Sequence, residues 1–390
     1  MRKKIIGLVC TLTAAALMAV SFTGCKNIKV DGTKPAITVN GETLNMGTAN
    51  LALRFQQAET YSMLIGYGFA QEGYVWSSQI AAGTTYGQYF KDQVETSLVD
   101  QLLLKQHAAD YEVTLTEEDN AAISEAAQAF LDANPDSAGV LGCTKADVEN
   151  LLTLYTYQHK MHDPVIADAD TTVDEAEAST SKIIYARLPI AADSESGETE
   201  VTEERKQALK AECETVIEKF ELMENADAAM AREMAQAVDA NFSVSEGTFS
   251  NHSTSLDAAV VEAAKALKDN EIASEVVETE AAYYVVWMVA VKDADSTAST
   301  TASIISEKQN TFYNELLTTW KDASDISYSN EWKKLTVSDT DIFALPTPEP
   351  EEPASGTSET SAVSETSETS AVSGTSETSA VSESSSGSAD

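Results

Sequence analysis

The chain has 390 residues, with 63 Asp and Glu against 25 Lys and Arg, for a formal net charge of -38 at pH 7. A surface this acidic repels phosphate backbones, which excludes nucleic acid as a partner and favours basic or unfolded polypeptides. The 4 Cys show no zinc-type spacing, and no metal or cofactor is expected.

Arg2, Lys3 and Lys4 precede a stretch over 5–22 that is apolar or small, broken only by Thr11, Thr13 and Ser21. That is the layout of a secretory signal peptide, and it is marginal as a membrane span. Phe22-Thr23-Gly24-Cys25 resembles the bacterial lipobox, with Phe22 where Leu is usual. The resemblance implies a signal peptide over 1–24 and a lipidated Cys25 on a short linker, 25–35. The protein would then be extracytoplasmic and held at the bacterial cell membrane by its acyl chains. The competing reading is an ordinary secretory cleavage near Gly24 with an incidental Cys. Cleavage removes three basic residues and no acid, so the mature chain is more acidic still. Cys143 and Cys213 then remain, either as one disulfide in an oxidising compartment or as two unpaired thiols. Cys213 falls on an apolar helix stripe, where Cys packs as a small hydrophobe, which favours the second option.

Residues 36–39 alternate like a short strand, and Asn40-Gly41 is a hairpin-type turn. A helix is predicted from Met46, carrying Leu51, Leu53 and Phe55. Residues 61–87, rich in Gly, Tyr and Trp, give no clear element. A helix over 88–110 repeats Phe90, Val94, Leu98 and Leu102 on one face. Thr116 before Glu117, Glu118 and Asp119 is an N-cap signal. That helix buries Ile123, Ala127, Phe130 and Leu131 and stops at Pro135. Thr144 with Asp147 opens another helix, carrying Val148, Leu151, Leu152 and Tyr155 and ending at Asp163-Pro164, since the residue before proline avoids helical angles. Residues 36–177 thus read as the first part of a helical domain.

Residues 178–293 read as a small α+β domain. A strand is predicted over 182–190, followed by an acidic loop. Helices follow over 203–222, 227–239 and 256–268, then a short strand over 275–277 and a long apolar strand over 283–291, the last one central because it lacks Gly and Pro. A polar spacer, 293–300, precedes a helix over 304–322 and a strand through Trp332, Leu335 and Val337. Residues 301–345 would return to complete the helical domain. Residues 346–390 form a Ser/Thr/Glu-rich tail with SETSAVS units starting at Ser358, Ser367 and Ser376. This composition buries too little apolar surface to order itself.

The arrangement resembles extracytoplasmic foldases of the PrsA and SurA type. In these, a helical chaperone domain, SurA/trigger-factor-like, carries an inserted parvulin-type peptidyl-prolyl isomerase domain. Residues 37–42 (ITVNGE) resemble the usual start of such chaperone domains. Residues 267–273 (LKDNEIA), 276–279 (VVET) and 283–286 (YYVV) resemble the parvulin C-terminal pattern. The resemblance implies a foldase or chaperone whose partners are unfolded or extended exported polypeptides. It also places this chain's residues on the parvulin site: Tyr185 and Tyr284 stand where two histidines are expected, and Ser245, in a loop over 243–249 that keeps Gly247 and Phe249, stands for an acid or thiol. Leu256 keeps the Met/Leu position of the proline slot, and Val260 replaces its Phe. Isomerase activity is therefore doubtful. Tyr185 and Tyr284 are either hydroxyl donors to an amide or half-buried strand aromatics. The alternative function is an envelope scaffold or specific peptide-binding lipoprotein without general chaperone activity.

Other groups carry less. His159 and His162 are three apart on a helix, spacing that suits two metal ligands or a surface pair at a helix end. His107 and His252 have no Ser or Cys partner in view. Met223, Met230 and Met234 are either an adaptable client surface or core packing. Tyr61, Tyr67, Phe69, Tyr74, Trp76, Tyr86 and Tyr89 either line a cleft for extended peptides or pack under a long loop.

Overall fold

Helices and antiparallel strands segregate into an α+β arrangement in the computed structural model, which describes residues 30–71, 73–192 and 201–339. The signal segment, Cys25, the loop 193–200 and the tail 346–390 lie outside the described residues. No described helix is long and apolar enough to cross a membrane.

Strand β1 (Pro35–Val39) turns through Asn40 and Gly41, both at positive φ, into β2 (Glu42–Asn45). Helix α1 (Met46–Gly66) follows and is buried on all sides over its first turns, as a core helix must be. A β3–β4 hairpin (Gln79–Ala81, Thr84–Thr85) leads into α2 (Tyr86–Gln106), which buries Phe90, Val94, Leu98 and Leu102 as the periodicity predicts. The predicted end at 110 is instead a 3-10 turn, Ala108–Tyr111. Thr116 and Asp119 form a reciprocal capping box on α3 (Glu117–Ala133), and Thr144 and Asp147 form another on α5 (Lys145–Ile166). Pro135 does more than end α3: it opens a short α4 (Pro135–Leu141), where its missing N–H costs nothing.

Two expectations about helix ends are corrected. Pro164 does not end α5 but lies inside its last turn. Met161 and Val165 are buried against Leu317 and hold that turn by packing, and Ala167 N–H closes it on Asp163 O. The loss is confined to one hydrogen bond near an end that would fray anyway. The spacer 293–300 is helical too. Asp293 caps α10 (Ala294–Asp322), a helix of 29 residues.

After the short α6 (Glu175–Ala178), β5 (Ser181–Pro189) starts the second sheet. Helices α7 (Glu203–Phe220) and α8 (Ala228–Gln236) follow. Residues 243–249, read as a loop, are strand β6 (Ser243–Phe249), paired along its length with β5. Then come α9 (Ala258–Lys265), β7 (Glu271–Ile272), β8 (Val277–Glu278) and β9 (Ala282–Ala290). The order is β6-β5-β9-β7, with β8 also on β9, so β9 is central as expected. Ile184, Ala186, Leu188, Val285 and Trp287 face α7 and α8. Ile183, Val286 and Met288 face α9. Cys143 and Cys213 are free and buried, and burial pushes both thiols up to about 12.

The two ends of the sheet segment meet: Asp293 N–H donates to Thr180 O at 2.8 Å. Helix α10 then runs about 43 Å, at 1.5 Å per residue, and packs Leu317 and Trp320 beside α2 and α5 residues. The chain next pairs β10 (Ile326–Tyr328) with β1, Ile37 opposite Tyr328. The strand expected around Trp332 is instead α11 (Asn330–Lys334), which plants Trp332 in the main helical core. β1 has β10 and β2 on its two edges, so no further strand pairs with it.

Candidate functional site

Strand register brings Tyr185, Ser245 and Tyr284 to one side of the second sheet, the side that Leu256 and Val260 cover. Tyr185 lies opposite Ser245 on β6 and opposite Val286 on β9, and paired residues point to the same face. Tyr284 lies one step along, opposite Arg187 and Val277. The Tyr185 and Tyr284 rings are 6.1 Å apart with planes at 53°. Leu256 caps them from the segment before α9. A Cβ on Gly247 would stand 2.8 Å from Leu256 Cδ2 and 3.1 Å from Tyr185 Cε1, so only glycine leaves room for these two side chains as they stand. Val260 is buried in the floor with Ile183, Phe249, Val286 and Met288. Tyr185, Tyr284 and Leu256 are half-buried at the rim, and Ser245 is exposed.

Chemically this face offers apolar area and hydroxyl donors. His252, in the loop after β6, turns away: its Nε2 lies 3.2 Å from Glu307 on α10 and its Nδ1 3.6 Å from Glu177 on α6. Sequence reasoning missed both carboxylates, because they come from distant segments and leave no local signal. His107 is held by Asp110 at 2.8 Å and stacks on Trp320 at 4.1 Å. With Tyr111, Glu112 and Asp168 they line an open depression of about 590 Å³. Burial, then Asp168 and Asp110, push the Tyr111 phenol up. His162 rests 3.1 Å from Asp163 and beside Tyr313. Among the described residues no group of three or more His, Cys, Asp or Glu could hold a metal ion.

The aromatic stretch of 61–89 divides in two. Trp76 is buried, stacks on Tyr86 at 5.5 Å and packs on Phe90 at 5.0 Å, and Tyr61 is also buried. Tyr67, Phe69 and Tyr74 are 74%, 75% and 68% exposed, with Met63, Ile80 and Tyr89 also open to solvent. Packing thus accounts for Tyr61, Trp76 and Tyr86, whereas Tyr67, Phe69 and Tyr74 remain open to solvent. The methionines divide similarly: Met230 is exposed, whereas Met223 and Met234 pack against the α7–α8 core.

No family model matches the sequence, and no curated protein matches it. Among solved structures, the foldase protein PrsA from Streptococcus pneumoniae str. Canada MDR_19A is similar, at 16% identity and a TM-score of 0.27, over 63% of this chain and 93% of that one. The peptidylprolyl isomerase PrsA from Bacillus cereus is similar at 13% identity and a TM-score of 0.27, over 66% and 96%. That from Bacillus anthracis is similar at 16% identity and a TM-score of 0.22, over 59% and 96%.

Proposed function

We propose that this chain is an extracytoplasmic, lipid-anchored chaperone of exported polypeptides, with a parvulin-like insert that binds but scarcely isomerises. The observation that carries the reading is the set of exposed apolar side chains on the helical part, Met63, Tyr67, Phe69, Tyr74, Ile80 and Tyr89, of which Tyr67 and Phe69 have ring centres 6.0 Å apart. Aromatic surface of this kind, set in an acidic chain, fits extended segments with exposed hydrophobic and basic side chains. The sheet face of Tyr185, Ser245, Leu256, Val260 and Tyr284 adds a second shallow apolar contact. The hydrogen bond between Thr180 and Asp293 supports treating the intervening segment as an insert between two halves of the helical part.

Suppression of aggregation of several unrelated denatured proteins tests the proposal. The wild-type chain should suppress it, and the combined Tyr67→Ser, Phe69→Ser and Tyr74→Ser variant should lose most of that effect while keeping its melting temperature. Suppression that survives the triple substitution would remove this surface from the mechanism. No suppression by the wild type would leave the scaffold or specific-peptide reading.

A further inference from the structure

The turn after α2, the end of α5 and the last turn of α10 meet around the open depression of about 590 Å³. Each wall is fastened by bonds of its own. His107 N–H closes α2 on Leu103 O at 2.9 Å, Asp110 N–H donates to His107 O at 3.0 Å, and Val113 N–H returns to Ala108 O at 2.9 Å. On α10, Leu317 is buried with Met161 and Val165, and Lys321 pairs with Asp100 at 2.9 Å. Trp320, between these two anchors, is held half-buried. Walls set in advance leave little ordering cost for a ligand.

The lining divides into rings and acids. The His107 imidazole lies parallel to the Trp320 indole, 10° between planes, and the Tyr111 ring meets that indole edge-on at 6.2 Å and 69°. Asp110, Glu112 and Asp168 are exposed at the rim. Asp110 engages His107, whereas no ion pair among the described residues engages Glu112 or Asp168. In a chain with 63 Asp and Glu, open carboxylates are commonplace; the aromatic wall that these surround sets the place apart.

The lining selects its ligand by exclusion. Acids around the rim repel anions. No group of three or more His, Cys, Asp or Glu among the described residues could hold a metal ion, so the acids are spaced for something larger. An enclosed apolar ligand needs a mainly apolar lining, and this one is open and ringed by charge. A flat organic cation meets every condition, because aromatic rings attract cations and a guanidinium both stacks on rings and forks to carboxylates.

We infer that this depression is a binding site for an arginine side chain of a polypeptide partner. The guanidinium lies on the wall of His107, Tyr111 and Trp320, and its charge faces Asp110, Glu112 and Asp168. None of these residues belongs to the sheet face or to the exposed apolar set that carries the chaperone reading, so the site stands whether or not the chain is a general chaperone.

The test labels the full chain with 5-fluorotryptophan. Its 4 Trp give separate fluorine resonances, and the one missing from Trp320→Phe is that of Trp320. The probes are acetyl-Gly-Gly-Arg-Gly-Gly-amide and the same peptide with citrulline, the neutral isostere of arginine. The arginine peptide should shift the Trp320 resonance and bind about tenfold tighter than the citrulline peptide, the gain from a cation–ring contact and an ion pair together. Glu112→Gln with Asp168→Asn should weaken arginine-peptide binding about tenfold. Glu214→Gln with Glu218→Gln removes the same charge from α7 and should change that binding less than about twofold. All these acids are exposed, so both variants should keep the wild-type melting temperature. Equal losses in the two variants overturn the inference by making the attraction a property of the whole acidic chain. Equal binding of the two peptides overturns it too, as does arginine-peptide binding that leaves the Trp320 resonance unmoved.

Discussion

Truncating Trp332 should cost the helical part about 4 kcal/mol. The side chain is fully buried although it belongs to a five-residue helix near the end of the described chain. Its indole N–H donates to Glu95 Oε2 at 2.6 Å, and the Lys91 ammonium lies 5.3 Å from the ring centre while donating to Trp332 O at 2.8 Å. Glu95 also bonds the Tyr328 phenol, which burial first, and then Glu95, push up to about 12. Replacing a buried Trp by Ala typically loses about 3–5 kcal/mol in burial and cavity. Trp332→Phe keeps most of the ring and gives up the bond to a carboxylate that retains Tyr328. It should lose only about 1–2 kcal/mol, near the low end for a charged partner. Urea unfolding followed by far-ultraviolet circular dichroism measures both. Since domains hold about 5–15 kcal/mol in all, the Ala variant should unfold at far lower urea. A loss under about 1 kcal/mol for Trp332→Ala would refute the argument that the returning segment belongs to the same cooperative core as α1 and α2.

Asp119 is buried and takes the Lys160 ammonium, the Thr116 N–H at 2.7 Å and the Thr116 hydroxyl at 2.8 Å. Burial alone would raise its pKa, but those partners outweigh it and hold it below the usual value. A depressed folded-state pKa contributes stability that is complete above the unfolded value and lost as pH falls through the folded one. Asp119→Asn should therefore cost about 3 kcal/mol at neutral pH and flatten the acid limb of a stability–pH curve; an unchanged acid limb would refute the assignment. Replacing 181–292 by a short Gly-Ser linker between Thr180 and Asp293, which already meet, should leave a helical product with a cooperative melt. An unfolded product would mean that the sheet segment is integral to the helical part. Cys25→Ser should abolish lipid labelling and release the protein from membranes, and unchanged fractionation with membranes would end the anchor proposal.

Local signals in the sequence read well because their causes are local. The caps at Thr116 and Thr144 need only residues three apart, and the α2 face needs only its own period. Elements that depend on distant partners read poorly. The Ser/Thr/Ala run at 294–303 has modest helix propensity, yet it is helical: Thr180 donates hydrogen bonds to Thr297 and Thr300 from its backbone and its hydroxyl. Residues 326–328 are too short to announce a strand, and they become one because β1 offers an edge. Strand β6 did carry a signal, since Val244 alternates with Ser243 and Ser245, but Gly247 masked it. Gly247 is there to admit Leu256 and Tyr185, not to make a turn. Tyr185 and Tyr284 could be placed on strands from the sequence, but their convergence depends on the pairing of β5 with β9, and the division of the 61–89 aromatics depended on where Trp76 settles.

The sheet face also sets an upper bound on catalysis under the proposed reading. Rotation about an X-Pro amide is slow against a barrier near ~18–20 kcal/mol. A thousandfold acceleration requires about 4 kcal/mol of stabilisation specific to the twisted state. Tyr185, Ser245 and Tyr284 offer neutral hydroxyls, each worth about 1 kcal/mol net, and two of them sit at a half-open rim where water competes. Even if all three bonded only the twisted amide, they would fall short, and uniform binding by Leu256 and Val260 adds affinity without rate. A protease-coupled isomerisation assay should thus show at most a weak rate increase, flat between pH 5 and 8 because no imidazole titrates on this face. Robust isomerisation that disappears in Tyr284→Phe, with the fold intact by circular dichroism, would defeat this reasoning and make the phenol a catalytic group.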